Sequence, residues 1–259
     1  MTTLVFDIET VPDASKGRLL YNGAENLNDA DVGQMLLAQQ RAKNLSEFLP
    51  HYLHQVVAIS VLLFDGGNVR VWSIGEETDD EKSLIERFWR GLEKYQPTLV
   101  SWNGSGFDLP VLHYRSLFHK IQAPLYWEMG EKDNSYKWNN YLNRYHLRHC
   151  DVMDMLSGYQ SRAFAGLDAV ATLCGLPGKQ GMSGKAVYDH FLQQDLRSIR
   201  HYCETDVLNT YLVYLRFEWM RGRINEIQFS KQLELVKNTG HDKPHLQEFI
   251  DSISEEYFV

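Results

Sequence analysis

The sequence has few cysteines and no long hydrophobic run. Its 259 residues include three cysteines, Cys150, Cys174 and Cys203, which are far apart and form no C-x-x-C pair. This spacing predicts neither a disulfide framework nor a structural zinc site, so we expect reduced thiols. No stretch approaches the roughly 18 consecutive apolar residues of a membrane helix, and the first residues lack the layout of a signal peptide. We therefore expect a cytoplasmic protein that does not bind membranes.

Positive charge is also scarce. Lysine and arginine together number 26 against 34 aspartate and glutamate residues, which gives a net charge of -8. This balance argues against a protein that coats nucleic acid through a basic face. It does not exclude an enzyme that acts on nucleic acid, because bound divalent cations would bring positive charge to a carboxylate-rich site.

The spacing of apolar residues predicts an α/β protein. Strands are predicted from residue 3 to an end between residues 7 and 10, and at 56–64, 69–74 and 98–102. Helices are predicted at 31–48, 79–95 and 108–120 and over most of the chain from 151 onward, where residues 207–259 contain the rest of one helix and a single terminal helix that begins near Pro244. A β-hairpin beside a strand, followed by a helix that crosses over to another strand, indicates a mixed sheet with helices on its faces. We expect a single domain over 1–259, with insertions at about 13–50 and 121–148 and a C-terminal helical extension at about 218–259.

Acidic residues lie at the ends of the predicted elements. Asp7 and Glu9 are two residues apart on a strand, so their side chains point to the same face. Asp108 lies where a strand gives way to a helix, and Tyr202 and Asp206 share one face of a later helix. Each pattern alone also describes an ordinary solvated surface. Four carboxylates brought together would repel one another unless cations compensate them, and Mg²⁺ and Mn²⁺ prefer such all-oxygen sites.

Three segments resemble, in the right order, the exonuclease motifs of the DEDD superfamily: 6–10 (FDIET), 102–110 (WNGSGFDLP) and 202–206 (YCETD). Tyr202 is typical of the DEDDy branch. The amino-acid sequences of the first two segments are most similar to the proofreading domain of family-B DNA polymerases and to stand-alone bacterial proteins related to it. The resemblance implies a ribonuclease H-like fold, with the first and fourth strands as parallel neighbours. It also implies hydrolytic release of nucleotides from a 3′ end with two divalent ions, Mg²⁺ or Mn²⁺.

The resemblance also implies a role for each motif residue. Asp7 would bridge the two metal ions, and Glu9 and Asp206 would complete the site that holds the nucleophilic water. Asp108 would help to hold the second ion. Tyr202 would orient the water rather than deprotonate it, because the ordinary pKa of tyrosine is about 10.

Four residues are candidates for holding the 3′-terminal nucleotide. Trp102 and Phe107 would form its walls, although core packing under the sheet explains them equally well. Asn103 would hydrogen-bond the nucleic acid backbone, and a plain turn residue is the alternative. The main-chain N–H of Glu9 or Thr10 would meet the terminal 3′-hydroxyl.

Three further segments allow two interpretations each. Residues 126–148 interleave aromatic and basic side chains, as a surface that stacks single-stranded bases would, and an insertion that packs its own aromatics fits nearly as well. Asp151 resembles a recurring acidic position in these nucleases, and we expect it to cap a helix. Residues 176–185 fail the phosphate-loop pattern and predict a flexible basic loop in which Lys179 or Lys185 touches phosphate.

These patterns together predict a metal-dependent 3′-5′ exonuclease whose partner is nucleic acid, with single-stranded DNA as the leading substrate. An exoribonuclease is the nearest alternative, because the sequence contains no feature that indicates whether a 2′-hydroxyl is accepted or excluded. An accessory module that binds 3′ ends but turns over weakly is a third, against which the intact motifs argue. Residues 207–259 follow the third motif, so a polymerase or repair partner would be a separate chain.

Overall fold

A computed structural model of the chain describes residues 2–22, 24–178, 182, 184 and 186–257. The strands are β1 (Thr3–Pro12), β2 (His54–Phe64), β3 (Val69–Ser73), β4 (Thr98–Ser101) and β5 (His149–Asp151). The helices up to residue 160 are α1 (Ala14–Leu20), α2 (Asp29–Asn44), α3 (Glu81–Tyr95), α4 (Asp108–His119) and α5 (Val152–Leu156). The later helices are α6 (Leu167–Leu173), α7 (Ala186–Leu192), α8 (Leu196–Met220), α9 (Glu226–Lys237) and α10 (Pro244–Asp251).

The five strands form one mixed sheet in the order β3-β2-β1-β4-β5. β1 pairs antiparallel with β2 and parallel with β4, β2 pairs antiparallel with β3, and β4 pairs parallel with β5. This is the ribonuclease H-like arrangement, and it confirms the predicted mixed sheet with β1 and β4 as parallel neighbours. The carboxyl ends of two parallel neighbours meet at one edge of the sheet, so the residues that follow β1 and β4 lie close together.

Helices cover both faces of the sheet. On one face, even-numbered residues of β1 such as Phe6 share a core with apolar side chains of α3 and α4. On the other face, Val5 shares a core with α8 and with the C-terminal helices α9 and α10. Among the described helices, none combines the length and apolar character needed to cross a membrane.

Glu204 anchors α8 to both the sheet and the C-terminal region. Its carboxylate accepts hydrogen bonds from the Ser73 main-chain N–H at 2.8 Å and from the Ser73 hydroxyl at 2.9 Å. Lys243 and His245 donate to its other oxygen at 2.8 and 2.9 Å. Burial alone would raise the pKa of Glu204, but the hydrogen bonds from His245 and Lys243 outweigh it and lower the pKa to about 2. This carboxylate therefore stabilises the position of α8 over the sheet.

Some short elements differ from the sequence prediction. α1 lies in a part of residues 13–50 that the sequence predicts as loop, and β5 has only three residues, so neither is long enough to show a hydrophobic period. α10 begins at Pro244 as expected, but the prediction of a single helix after α8 is wrong, because α9 precedes α10. Asn225 and Gln228 form a capping box at the start of α9, a signal that the sequence does contain. The single-domain organisation stays a prediction.

Candidate active site

Asp7 and Glu9 lie on the face of β1 that α8 covers. The strand period of two places them on the same side as Val5, whose side chain packs in the core shared with α8. The thiol of Cys203 in α8 lies 3.6 Å from Asp7 Oδ2. One oxygen of each carboxylate and the Cys203 Sγ all lie within 4.8 Å of one another. The two acidic residues of the first motif therefore converge under α8.

Asp108 lies close to Asp7 and Glu9, although it follows the neighbouring parallel strand β4. β4 ends at Ser101, the chain turns, and α4 begins at Asp108. The Asp108 Oδ1 accepts a hydrogen bond from the main-chain N–H of Ile8 at 3.2 Å. Because Ile8 stands between the two acidic residues of β1, this bond holds the Asp108 carboxylate beside them.

The turn before Asp108 is held by Asp151. The two oxygens of Asp151 accept hydrogen bonds from the main-chain N–H groups of Asn103 at 3.0 Å and Ser105 at 2.8 Å. Asn103 has a left-handed backbone with φ 63°. A Cβ at Gly104 would lie 2.5 Å from the Ser101 Cβ, so the turn requires glycine there.

Asp151 also caps α5, because its side chain accepts a hydrogen bond from the Asp154 N–H. The expected helix cap is therefore confirmed. The sequence does not reveal the second role of Asp151, which is to hold the turn that positions Asp108. No sequence signal could have identified this role, because the turn and the cap are 46 to 48 residues apart.

α8 contributes Tyr202 and Asp206, which are one helical turn apart. Burial raises the pKa of the Tyr202 hydroxyl, and the negative charges of Asp206, Glu9 and Asp7 raise it further. Tyr202 is 5% exposed and Asp206 is 7% exposed. The Tyr202 hydroxyl therefore stays protonated at neutral pH and acts as a hydrogen-bond donor within the acidic cluster.

The pKa of Asp7 reports the convergence of all four carboxylates. Burial raises this pKa well above its usual range, and the charges of Asp108, Glu9 and Asp206 each raise it further. Burial also raises the pKa of Asp108 to about 7, even though its hydrogen bond from Ile8 opposes the rise. Ionised carboxylates in this cluster therefore repel one another, and a cation bound between them would relieve the repulsion.

A hard divalent cation fits this donor set. Asp7, Glu9, Asp108 and Asp206 offer carboxylate oxygens alone, which are the ligands that Mg²⁺ and Mn²⁺ prefer. Cys203 lies close by, but burial and then the charges of Asp7 and Glu9 raise the pKa of its thiol well above the ordinary value. The thiol is therefore protonated at neutral pH and is a poor metal ligand.

A pocket of about 680 Å³ opens beside the carboxylates. Glu9, Thr10 and Phe107 line it on the side of the first two motifs. The opposite wall comes from α2 and the loop that follows it, and includes Arg41 and Phe48. The rings of Phe107 and Phe48 contact each other, with centroids 5.2 Å apart. The insertion at residues 13–50 thus builds one wall of the pocket, which no motif in the sequence indicates.

Trp102 and Asn103 lie elsewhere. Trp102 packs against the core beneath α8, as its core-packing interpretation describes. Asn103 occupies the turn that Asp151 holds, as its turn interpretation describes. Among the residues that the structure describes, the lining of the pocket includes Thr10 and Phe107 but neither of these two. Lys179 and Lys185, expected in a basic loop, lie outside the described residues.

The hydrogen bonds of His54 determine whether the Thr10 hydroxyl can donate or accept a hydrogen bond in the pocket. The His54 Nε2 lies 3.1 Å from the Leu49 carbonyl, which can only accept, so Nε2 carries the proton. Burial lowers the pKa of His54 to about 4, so the ring is neutral and its Nδ1 is an acceptor. The Thr10 hydroxyl lies 2.8 Å from Nδ1 and therefore donates to it. Thr10 is left with lone pairs only, and these can accept a hydrogen bond from a ligand.

The comparison with protein families decides the identity of the chain. Residues 46–253 match the family described as "Predicted 3'-5' exonuclease related to the exonuclease domain of PolB". The chain belongs to this family. The matched range includes the second and third motifs, and the first motif precedes it. The family and the carboxylate cluster thus point to the same chemistry.

Two polymerases are similar to this chain. It is 24% identical over 149 residues to the DNA polymerase epsilon catalytic subunit of Dictyostelium discoideum, in an alignment that covers 53% of this chain and 6% of that protein. The family B DNA polymerase from the hyperthermophilic archaeon Pyrobaculum calidifontis aligns with a TM-score of 0.52 and 17% identity, over 96% of this chain and 27% of that chain. The structural likeness shows a shared fold alone. The chain spans only a small part of either polymerase.

Proposed function

We propose that this member of the exonuclease family uses two divalent cations to hydrolyse single-stranded DNA from its 3′ end. The observation that carries the proposal is the convergence of four carboxylates, from β1, from the start of α4 and from α8, beside a pocket of about 680 Å³. Sites for small-molecule ligands commonly enclose about 300 to 1,000 Å³, so the pocket is large enough for a nucleotide.

Asp7, Glu9, Asp108 and Asp206 would hold the two cations, since the charges of the other three carboxylates all act on Asp7. Bound Mg²⁺ or Mn²⁺ would lower the pKa of the attacking water and stabilise charge on the attacking and leaving oxygens. The hydrogen bond from Ile8 keeps Asp108 in place before any cation binds. The chain therefore supplies a preorganised site.

Tyr202 would orient the attacking water through a hydrogen bond to its hydroxyl oxygen. Its raised pKa keeps the hydroxyl protonated at neutral pH, which is unsuitable for a general base. The carboxylate of Asp206, on the same face of α8, raises this pKa both by its charge and by a hydrogen bond with the phenol. We therefore assign Tyr202 a positioning role rather than a proton-accepting one.

The pocket would hold the 3′-terminal nucleotide. Phe107 and Phe48 offer apolar rings to the base, and the lone pairs of Thr10 would accept a hydrogen bond from the terminal 3′-hydroxyl. A 3′-phosphate would bring negative charge towards Glu9, which lines the same pocket. A terminal nucleotide must leave its base pair to enter the pocket, and this favours single strands over duplex ends.

The test uses 5′-labelled oligonucleotides resolved on a denaturing gel. We expect single-stranded DNA to shorten stepwise from its 3′ end with Mg²⁺ or Mn²⁺, and EDTA to stop the reaction. Asp7→Asn should be inactive, whereas Glu93→Gln, the same change at an exposed carboxylate of α3, should be unaffected. Faster cleavage of the matching RNA would contradict the substrate assignment. Inertness on every substrate with metal present would favour a module that only binds 3′ ends.

A further inference from the structure

The aromatic residues of the 121–148 insertion fall into two sets. Tyr126, Tyr136 and Tyr141 are at most 3% exposed and pack in the core beside α3 and α4. Trp127 is 52% exposed, Trp138 is 78% exposed and Tyr145 is 71% exposed. Packing of the insertion on itself therefore accounts for the first set of aromatic side chains and leaves the second set unexplained.

Tyr145 belongs to a small cluster with a cationic centre, which we define as Arg144, Tyr145 and Tyr159 and name the Arg144 cluster. The two tyrosine rings meet edge to face with centroids 5.2 Å apart. The Arg144 guanidinium lies 4.5 Å from the centroid of the Tyr159 ring. The Tyr159 hydroxyl donates to the Arg144 carbonyl at 2.7 Å. These contacts hold an exposed ring and a half-exposed guanidinium next to each other.

The segment that builds the Arg144 cluster carries more positive than negative charge. From residue 134 to residue 166 the chain has four basic residues, Lys137, Arg144, Arg148 and Arg162, against two acidic ones, Asp151 and Asp154. In a chain with a net charge of -8, such a local excess of positive charge is suited to an anionic ligand. Phe164, in the same segment, is 43% exposed and adds another aromatic side chain.

The Arg144 cluster is tied to the edge of the sheet that carries the catalytic carboxylates. Arg144 pairs with Asp154 of α5 at 3.6 Å. Asp151 caps α5 and also holds the turn before Asp108. A chain of direct contacts thus connects the cluster with the second motif.

Along the strand order of the sheet, the pocket, the carboxylates and the Arg144 cluster follow one another. The pocket lies at the end of β1 and the start of β2, where Thr10 and His54 line it. Asp7 and Glu9 lie on β1 and Asp108 follows β4, the next strand, whereas the Arg144 cluster contacts α5, which follows β5. A strand whose 3′-terminal nucleotide fills the pocket would cross the carboxylates and continue towards the cluster.

We propose that the Arg144 cluster binds the part of a single-stranded DNA that lies on the 5′ side of the scissile bond. A base would stack on the exposed ring of Tyr145, and Arg144 would contact a neighbouring phosphate. This proposal rests on the proposed function, because it takes the orientation of the strand from the 3′ nucleotide in the pocket. Stacking on aromatic side chains tolerates any base, so the contact would not make the enzyme sequence-specific.

The experiment compares a short oligonucleotide, which reaches only from the pocket across the carboxylates, with a long one that extends past β5. For the long oligonucleotide, we expect Tyr145→Ala and Arg144→Gln each to raise KM about tenfold, in line with the loss of one stacked base or one phosphate contact. Their kcat and their KM for the short oligonucleotide should equal those of the parent protein. Tyr145→Phe keeps the ring and should restore the KM of the parent.

A matched control removes an exposed aromatic ring that contacts a cationic side chain elsewhere on the surface. Phe118 is exposed at the far end of α4, with the Lys16 ammonium 3.9 Å from its ring centroid, and Phe118→Ala should leave both KM values unchanged.

Unchanged KM for the long oligonucleotide in both cluster variants, or an equal rise for the two lengths, would overturn the proposal. Binding of the same oligonucleotides in EDTA, measured by fluorescence anisotropy, separates the two hypotheses. If the parent protein hydrolyses nothing but the variants lose affinity for the long strand, the proposed function fails and the binding surface stands.

Discussion

The carboxylate of Asp108 accepts a hydrogen bond from the main-chain N–H of Ile8, 100 residues earlier in the chain. The bond joins the start of α4 to the stretch of β1 between Asp7 and Glu9. It accounts for the convergence of carboxylates from β1 and from the start of α4, because it fixes the position of Asp108 beside Asp7 and Glu9.

Without metal, the protein should lose stability as the pH rises from about 4 to about 7. The pKa of Asp108 is about 7 in the folded protein, chiefly because of burial, against about 3.9 for an unfolded aspartate. The contribution of this group to stability is therefore complete below the unfolded pKa and disappears as the pH rises through the folded pKa. Asp108→Asn should flatten this part of the profile. Thermal unfolding in EDTA between pH 4 and pH 8 measures both proteins, and a metal-free protein that becomes more stable over this range would contradict the prediction.

Tyr202→Phe should reduce kcat by a smaller factor than the loss of a metal ligand does. The variant removes the hydroxyl that orients the water, so we expect a loss of about tenfold, equivalent to about 1.4 kcal/mol of transition-state stabilisation. The stabilisation of the fold by added Mn²⁺ should be unchanged, because the hydroxyl is not a proposed ligand. Single-turnover cleavage rates and thermal unfolding with Mn²⁺ test both statements. A kcat as low as that of Asp7→Asn would show that the phenol does more than orient the water.

Thr10→Val should weaken recognition of the 3′-hydroxyl. Valine keeps the shape of threonine and removes the lone pairs that His54 leaves facing the pocket. Loss of one hydrogen bond of about 1 to 1.5 kcal/mol should lower kcat/KM by about tenfold on ordinary 3′ ends. An oligonucleotide ending in a 2′,3′-dideoxynucleotide supplies the internal control, because it lacks the hydroxyl and should be cleaved equally by both proteins. An equal loss on both substrates would place the effect in packing instead.

Glu204→Gln should destabilise the fold by about 1 to 3 kcal/mol, because it weakens hydrogen bonds from Lys243 and His245 to a buried carboxylate. The pKa of Glu204 is lowered to about 2, so its stabilising contribution is complete above the unfolded pKa of about 4.3 and is lost as the pH falls towards 2. Urea unfolding at pH 7 and at pH 3 measures this difference. The gap between parent and variant should narrow at the lower pH, and a gap that widens would contradict the assignment.

The shared faces of the acidic residues were predictable, because the periods of strands and helices determine which side chains lie on one face. Asp7 and Glu9 share a face through the period of two in β1, and Tyr202 and Asp206 share a face through the helical spacing in α8. The parallel pairing of the first and fourth strands was implied by the resemblance to the DEDD motifs and not by the spacing. Short-range rules therefore place the residues within each motif, and the resemblance brings the motifs together.

The part of the pocket wall that the 13–50 insertion builds was not predictable, for the opposite reason. Phe48 meets Phe107 across 59 residues, and His54 meets Thr10 across 44, and no local pattern records such pairs. β5 escaped prediction because its three residues cannot show a period, although its last residue, Asp151, holds the turn before Asp108. Contacts between distant segments are set by tertiary packing, which periodicity does not describe.

The central claim is that the four carboxylates form a site for divalent cations, and calorimetric titration with Mn²⁺ tests it most directly. The parent protein should bind two Mn²⁺ ions per chain, and Asp7→Asn should lose this binding, while Glu93→Gln should bind as the parent does. In the absence of metal, Asp7→Asn should melt at a higher temperature than the parent at neutral pH, because asparagine avoids the cost that burial and the neighbouring carboxylates impose on ionising Asp7. A parent protein that is folded and shows no saturable Mn²⁺ binding would contradict the account.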